Sequence, residues 1–109
     1  MKKLLAATII LAGCGGQLPS SVKVIAGAAL PSKGIEYSVV VIEGGKIRAV
    51  GPQSDIPVPK GSEITSGMGK IIEPSAGASL EPGAAADLHL LNAQTRSVES
   101  VMVQGVWKK

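Results

Sequence analysis

The chain has 109 residues, of which 45% are hydrophobic and 17% charged, and this composition predicts one small globular domain. Aromatic residues are scarce, with one Trp, one Tyr and no Phe, so the core has to be built from aliphatic side chains. The formal net charge is +3, and the basic residues are scattered. Because nucleic-acid binding needs a clustered basic face and aromatic stacking partners, we predict no nucleic-acid partner.

Residues 1–13 have the pattern of a secretory signal peptide. Lys2 and Lys3 precede an uncharged apolar run over residues 4–12, and a positive end followed by such a run is typical of these signals. The run is about half the ~20 residues that a membrane-spanning helix needs. We therefore predict a signal-peptide helix that is removed, which leaves nine basic residues against eight acidic ones.

Cys14 is the single cysteine and follows Leu-Ala-Gly, a sequence that resembles the lipobox of bacterial lipoproteins. The resemblance implies that Cys14 is acylated, becomes the first mature residue and has membrane lipid as its partner. Residues 14–21, rich in Gly and Ser, are then a flexible tether. Gly15, rather than Asp, follows the cysteine, and this resembles the pattern of lipoproteins that Gram-negative cells sort to the outer membrane. The resemblance implies that the protein is anchored on the periplasmic face of that membrane. The alternative is an ordinary secretory signal with a chance cysteine.

The mature part, residues 22–109, has the pattern of an all-β domain. Residues 37–43 and 46–51 are β-branched runs joined by Gly44-Gly45, and this predicts a hairpin because a primed turn needs positive φ. Other predicted strands are residues 22–26, 63–65, 70–73, 87–91, 98–103 and 106–108, the last after a turn at Gln104-Gly105. Proline-rich and Ala/Gly-rich segments separate them. We predict a small β-sandwich or partly open barrel of short, mainly antiparallel strands.

The second strand of the predicted hairpin shows a period of two. Lys46, Arg48 and Val50 alternate with Ile47 and Ala49. Because successive side chains of a strand point to opposite faces, this alternation predicts a half-exposed strand with Val50 on the face of the two basic residues.

Two candidate sites do not meet the requirements of their chemistry. Residues 67–70, Gly-Met-Gly-Lys, lack the phosphate-loop spacing, which needs Gly where Ile64 stands and Ser or Thr where Ile71 stands. We therefore interpret these glycines as turn formers. His89 is the single histidine, and metal sites and catalytic triads need several converging groups. We predict no metal, no cofactor and no catalytic residue.

Five motifs follow one another in a recognisable order. They are VIAGA at residues 24–28, VVVIEGGKIRAVG at 39–51, GKIIEP at 69–74, ASLEPGAAADL at 78–88 and VMVQGVW at 101–107. Together they resemble the small composite domain of metal-dependent amidohydrolases of the urease, dihydroorotase and imidazolonepropionase type. In that family the two end segments form one β-sandwich, and a (β/α)8 barrel between them carries the chemistry.

The barrel of that family is missing from this sequence. Pro74 is followed by Ser-Ala-Gly and then by the segment that, in the family, returns from the barrel. The His-x-His pair, the bridging lysine, the later histidines and the catalytic aspartate have no matching positions. The resemblance therefore implies a non-catalytic domain with an uncovered surface where the barrel packs, and we expect a protein partner there.

These observations predict a membrane-anchored lipoprotein of the cell envelope with a binding or structural role. The alternative is an accessory or remnant domain of a metal-dependent amidohydrolase, an enzyme class acting on C–N bonds, which needs a separate barrel for activity. An independent hydrolase is the third alternative.

Overall fold

The computed structural model describes residues 22–108, which form eight strands and one 3-10 turn, Pro31–Lys33. The strands, numbered in chain order, are β1 (Val22–Ala26), β2 (Ser38–Glu43), β3 (Lys46–Pro52), β4 (Glu63–Ser66), β5 (Lys70–Pro74), β6 (Leu88–Asn92), β7 (Val98–Val103) and β8 (Val106–Trp107). Every strand predicted from the sequence is present, and the all-β class is confirmed. The predicted signal peptide, Cys14 and the tether lie outside the described residues.

The strands form two four-stranded sheets, and neither closes into a barrel. The first sheet has the order β3-β2-β1-β4, and the second has the order β8-β7-β6-β5. All neighbours are antiparallel except β1 and β4, which run parallel from Lys23 opposite Glu63 to Ala26 opposite Ser66. The mainly antiparallel sandwich is therefore confirmed, with one parallel pair that the pattern did not predict.

The hairpin of β2 and β3 turns at Gly44-Gly45, where both glycines have positive φ, 64° and 79°. Its register shifts between Val41 and Ile42, because Val41 lies opposite Ala49 whereas Ile42 lies opposite Ile47. Such a bulge adds one residue to β3 and reverses the faces beyond it.

Because of the bulge, the residues of β3 do not alternate between the two faces as predicted from the sequence. Val50 packs against the same core cluster as Ile47, whereas Ala49 packs on the other face of the sheet. The prediction that Val50 shares the face of Lys46 and Arg48 is therefore wrong, because the inserted residue shifts the period by one.

The core lies between the sheets and is almost entirely aliphatic, as the composition predicted. Its members are Ile25, Ala28, Leu30, Val40, Ile42, Ile47, Ile72, Leu80, Ala86, Leu88, Leu90 and Met102. A smaller cluster of Val24, Val39 and Val41 covers the other face of the first sheet, with Ile56 from the β3–β4 loop packed on it. The first sheet is therefore buried on both faces.

At one end of the sandwich, the turns of two hairpins contact each other. We call this the amino-terminal end, because β1 begins there with Val22 opposite Glu43. A Cβ built on Gly105 would lie 2.8 Å from the Gly45 Cα, so only glycine permits this approach. Lys23 Nζ also donates a 2.8 Å hydrogen bond to the Gly105 carbonyl oxygen. Backbone atoms of the two sheets therefore contact each other directly at this end.

Strands β5 and β6 bring the two parts of the sequence together within the second sheet. Pro74 lies opposite Leu88, and the Ser75 N–H donates to the Asp87 carbonyl oxygen at 3.1 Å. The chain therefore leaves and rejoins the sheet at neighbouring positions, and residues 76–86 form the connection between them.

Candidate functional site

The opposite end of the sandwich, which we call the distal end, carries an open cavity of about 690 Å³. Here β2 begins and β3 ends, since Ser38 lies opposite Pro52. The cavity is lined by two loop segments and one side chain from the β4–β5 turn: Gly34, Ile35, Glu36, Tyr37, Pro52, Gln53, Ser54 and Met68. Concave surfaces with apolar walls and few polar groups are the usual form of small-molecule sites.

Tyr37 is held in place by the backbone on both sides of it. Its carbonyl oxygen accepts a 2.9 Å hydrogen bond from the Gln53 N–H, which ties the two lining loops together. The next residue, Ser38, is fully buried, and its Oγ donates to the Ala28 carbonyl oxygen at 2.7 Å. The Tyr37 side chain nevertheless remains 51% exposed. A fixed backbone therefore presents a half-exposed aromatic ring to the cavity.

Met68 reaches the cavity because the residues around it are small. A Cβ on Gly27, which has φ of 97°, would lie 2.7 Å from Met68 Sδ, so the thioether lies directly over the glycine backbone. A Cβ on Gly67 would lie 2.6 Å from the Ala28 Cβ, which fixes the approach of the turn. Met68 is 60% exposed. The cavity therefore has an aromatic wall and a flexible, polarisable thioether wall.

The charge at the cavity is negative. Glu36 lines it, and its carboxylate takes part in no hydrogen bond or ion pair with any described residue. Asp55 follows the lining residue Ser54, whose Oγ donates to Asp55 Oδ1 at 3.4 Å. No Lys or Arg is among the lining residues, and the nearby Lys33 binds Glu81 at 2.5 Å. The two carboxylates therefore have no cationic partner at this end of the described chain.

Of the positions considered from the sequence, Met68 within residues 67–70 lines the cavity and His89 does not. Cys14 falls outside the described residues. His89 is half-buried on β6, opposite Glu73 and Val101, and is not among the cavity residues. No three His, Cys, Asp or Glu side chains converge as a metal site within residues 22–108.

The glycines of residues 67–70 form the turn between β4 and β5, as interpreted from the sequence. The Lys70 N–H donates to the Gly67 carbonyl oxygen at 3.0 Å, which closes the turn. Met68 at its tip was not singled out from the sequence, and neither was Tyr37. The signal that could have found the site was the scarcity of aromatics, since the single tyrosine stands where a loop meets a strand.

Comparisons with protein-family models, with curated proteins and with solved structures each found no match to this chain. Among residues 22–108, no helix is long and apolar enough to span a membrane.

Proposed function

We propose that this protein is a bacterial lipoprotein whose sandwich binds a small ligand in the distal cavity and performs no catalysis. Acylated Cys14 holds it at an envelope membrane, on the periplasmic face of the outer membrane in a Gram-negative organism. The observation that carries the binding role is the cavity itself, into which Tyr37 and Met68 present exposed apolar surface. In a chain with one Trp, one Tyr and no Phe, this placement favours recognition over core packing.

The position of the cavity supports a role at a membrane. The described chain begins at Val22, at the amino-terminal end, and the cavity lies at the far ends of the same strands. A six-residue strand such as β2 spans about 20 Å at ~3.3 Å per residue. A tether that enters at Val22 therefore leaves the cavity open to the aqueous phase.

The side chains of the cavity favour binding over chemistry. The ionisable groups that line it are Glu36 and Tyr37. A nucleophile activated by an adjacent base, as hydrolases require, needs a pair of groups within hydrogen-bond distance. The hydroxyl of the lining Ser54 instead donates to the carboxylate of its neighbour Asp55, at a long 3.4 Å.

The methionines provide a test of the binding site. Met68 lies at the cavity and Met102 is fully buried in the core, so [methyl-13C]methionine labelling supplies a reporter and an internal reference. We expect some members of a millimolar fragment library to shift the Met68 methyl resonance saturably and leave that of Met102 unchanged. Tyr37→Ala removes the response of the Met68 methyl. Ile64→Ala preserves it, because Ile64 is exposed to a similar extent as Tyr37 (59% against 51%) but lies outside the cavity. A library that produces no saturable Met68 shift refutes the binding role.

A second candidate is an accessory domain that complements a separately encoded amidohydrolase barrel. The observation in its favour is the adjacency of Pro74 and Leu88, because a composite sandwich needs neighbouring exit and return points. It predicts that adding this protein to a barrel protein that lacks its own sandwich restores metal-dependent C–N hydrolysis. If hydrolysis is unchanged after stoichiometric mixing of the two proteins, the accessory-domain role is refuted.

A further inference from the structure

We propose that the distal cavity selects cationic ligands, specifically an ammonium or guanidinium group attached to an apolar body. This inference rests on the proposed binding function and names the ligand class of that site. It joins two independent features of the cavity, its unpaired lining carboxylate, Glu36, and its exposed aromatic and thioether walls.

The carboxylate that lines the cavity, Glu36, has no ion pair, in contrast to half of the eight carboxylates in residues 22–108. Four of them each form an ion pair with a basic residue: Glu43, Glu73, Glu81 and Glu99. Glu36 lines the cavity and lies in no ion pair within residues 22–108, and neither does Asp55, which follows the lining residue Ser54 but does not itself line the cavity. A lining carboxylate without a cationic partner attracts a positive ligand and repels an anionic one, and Asp55 adds a second negative charge on the loop that carries Ser54.

The apolar walls define the rest of the ligand. Tyr37 is half-exposed and Met68 offers an exposed thioether, and the lining residues Ile35 and Pro52 extend this apolar surface. An aromatic face also attracts a cation through its quadrupole, so Tyr37 contributes to charge selection as well as to apolar contact. A ligand with one positive group and an aromatic or aliphatic body therefore matches both features at once.

The single tyrosine makes a direct test possible. The chain contains one Tyr, so biosynthetic 3-fluorotyrosine gives one 19F resonance, located at the cavity. The full chain is placed in phosphatidylcholine nanodiscs and titrated with three probes that share one phenyl ring and are of similar size: benzylammonium, benzyl alcohol and benzoate. We expect saturable shifts with benzylammonium, with a dissociation constant on the order of millimolar. Binding of benzyl alcohol is about tenfold weaker, and benzoate causes no saturable shift.

Charge-neutral variants assign the selectivity to particular carboxylates. Exposed ion pairs change affinity by about twofold to fivefold, so Glu36→Gln weakens benzylammonium binding about threefold and Asp55→Asn about twofold. Neither variant changes benzyl alcohol binding. Glu63→Gln is the matched control, because Glu63 is an exposed carboxylate outside the cavity that forms no ion pair with another described residue. It leaves all three dissociation constants unchanged.

The remaining outcomes separate this inference from the function on which it rests. Equal affinity for benzyl alcohol and benzylammonium overturns the cation selectivity but keeps the cavity as a binding site. Preference for benzylammonium that survives in the Glu36→Gln and Asp55→Asn double variant overturns the assignment to these carboxylates. If no probe shifts the Tyr37 resonance saturably while fragments still shift the Met68 methyl, the ligand class is wrong. If neither resonance responds, the binding function fails as well.

Discussion

The contact between the two hairpin turns predicts an unusually large effect of one methyl group. Gly105 has φ of 81°, and its substitution by Ala places a Cβ 2.8 Å from the Gly45 Cα and 3.3 Å from the Gly45 nitrogen. Left-handed backbone costs a non-glycine residue about 1 kcal/mol or more, and overpacking against backbone atoms adds about 1–3 kcal/mol. We expect Gly105→Ala to lower the free energy of unfolding by about 3 kcal/mol.

Gly44→Ala is the matched control for this substitution. Gly44 also has positive φ, 64°, but a Cβ there would meet nothing within 4 Å. Its cost is therefore the backbone term alone, about 1 kcal/mol. The difference between the two variants, about 2 kcal/mol, measures the contact between the sheets.

Urea unfolding followed by the fluorescence of Trp107 measures both values. Trp107 is the single tryptophan and packs against the core from β8, two residues after Gly105. We expect a lower midpoint at an unchanged slope, because the contact affects stability and not the surface exposed on unfolding. Equal losses in Gly105→Ala and Gly44→Ala would contradict the proposed role of the contact.

Two further predictions concern the second sheet. A folded domain inserted at Gly77, which is exposed with open space around it, leaves the 13C shift of the buried Met102 methyl unchanged because Pro74 and Leu88 hold the junction closed; a displaced Met102 resonance would show that the junction opens. The pKa of Glu99 lies below its ordinary value of 4.5, because Lys70 and then Asn92 donate hydrogen bonds to its carboxylate. The stability from this group is present above pH 4.5 and lost as pH falls through the lowered pKa. Glu99→Gln therefore lowers the free energy of unfolding in urea at pH 7, but not at a pH low enough to protonate the carboxylate. An equal loss at these two pH values would contradict this.

The parts of the fold that could be predicted from the sequence are those set by local chemistry. The hairpin at Gly44-Gly45 was predictable because the turn requires positive φ, and the turn at residues 67–70 was predictable for the same reason. The bulge at Arg48 was not, since it depends on register against β2 rather than on the residues of β3. The parallel pairing of β1 with β4 joins residues about forty positions apart, and their local patterns carry no sign of direction.

The cavity was not predictable for a related reason. Tyr37 and Met68 are brought together only when β4 pairs with β1 and its turn crosses Gly27. Neither residue lies in a motif with a fixed spacing, so no local signal marks them as a pair. Cys14 is the opposite case, because the pattern that resembles a lipobox is entirely local and can be proposed from four adjacent residues.

We propose above all that a lipid on Cys14 makes this sandwich an envelope protein, and palmitate labelling tests this proposal most directly. Cells that express the full chain are labelled with radioactive palmitate and separated into membrane and soluble fractions. We predict that the wild-type protein carries label and lies in the membrane fraction, whereas Cys14→Ser carries none and leaves that fraction. Ser21→Ala is the control and behaves as wild type. Label and membrane association that persist in Cys14→Ser would contradict the account.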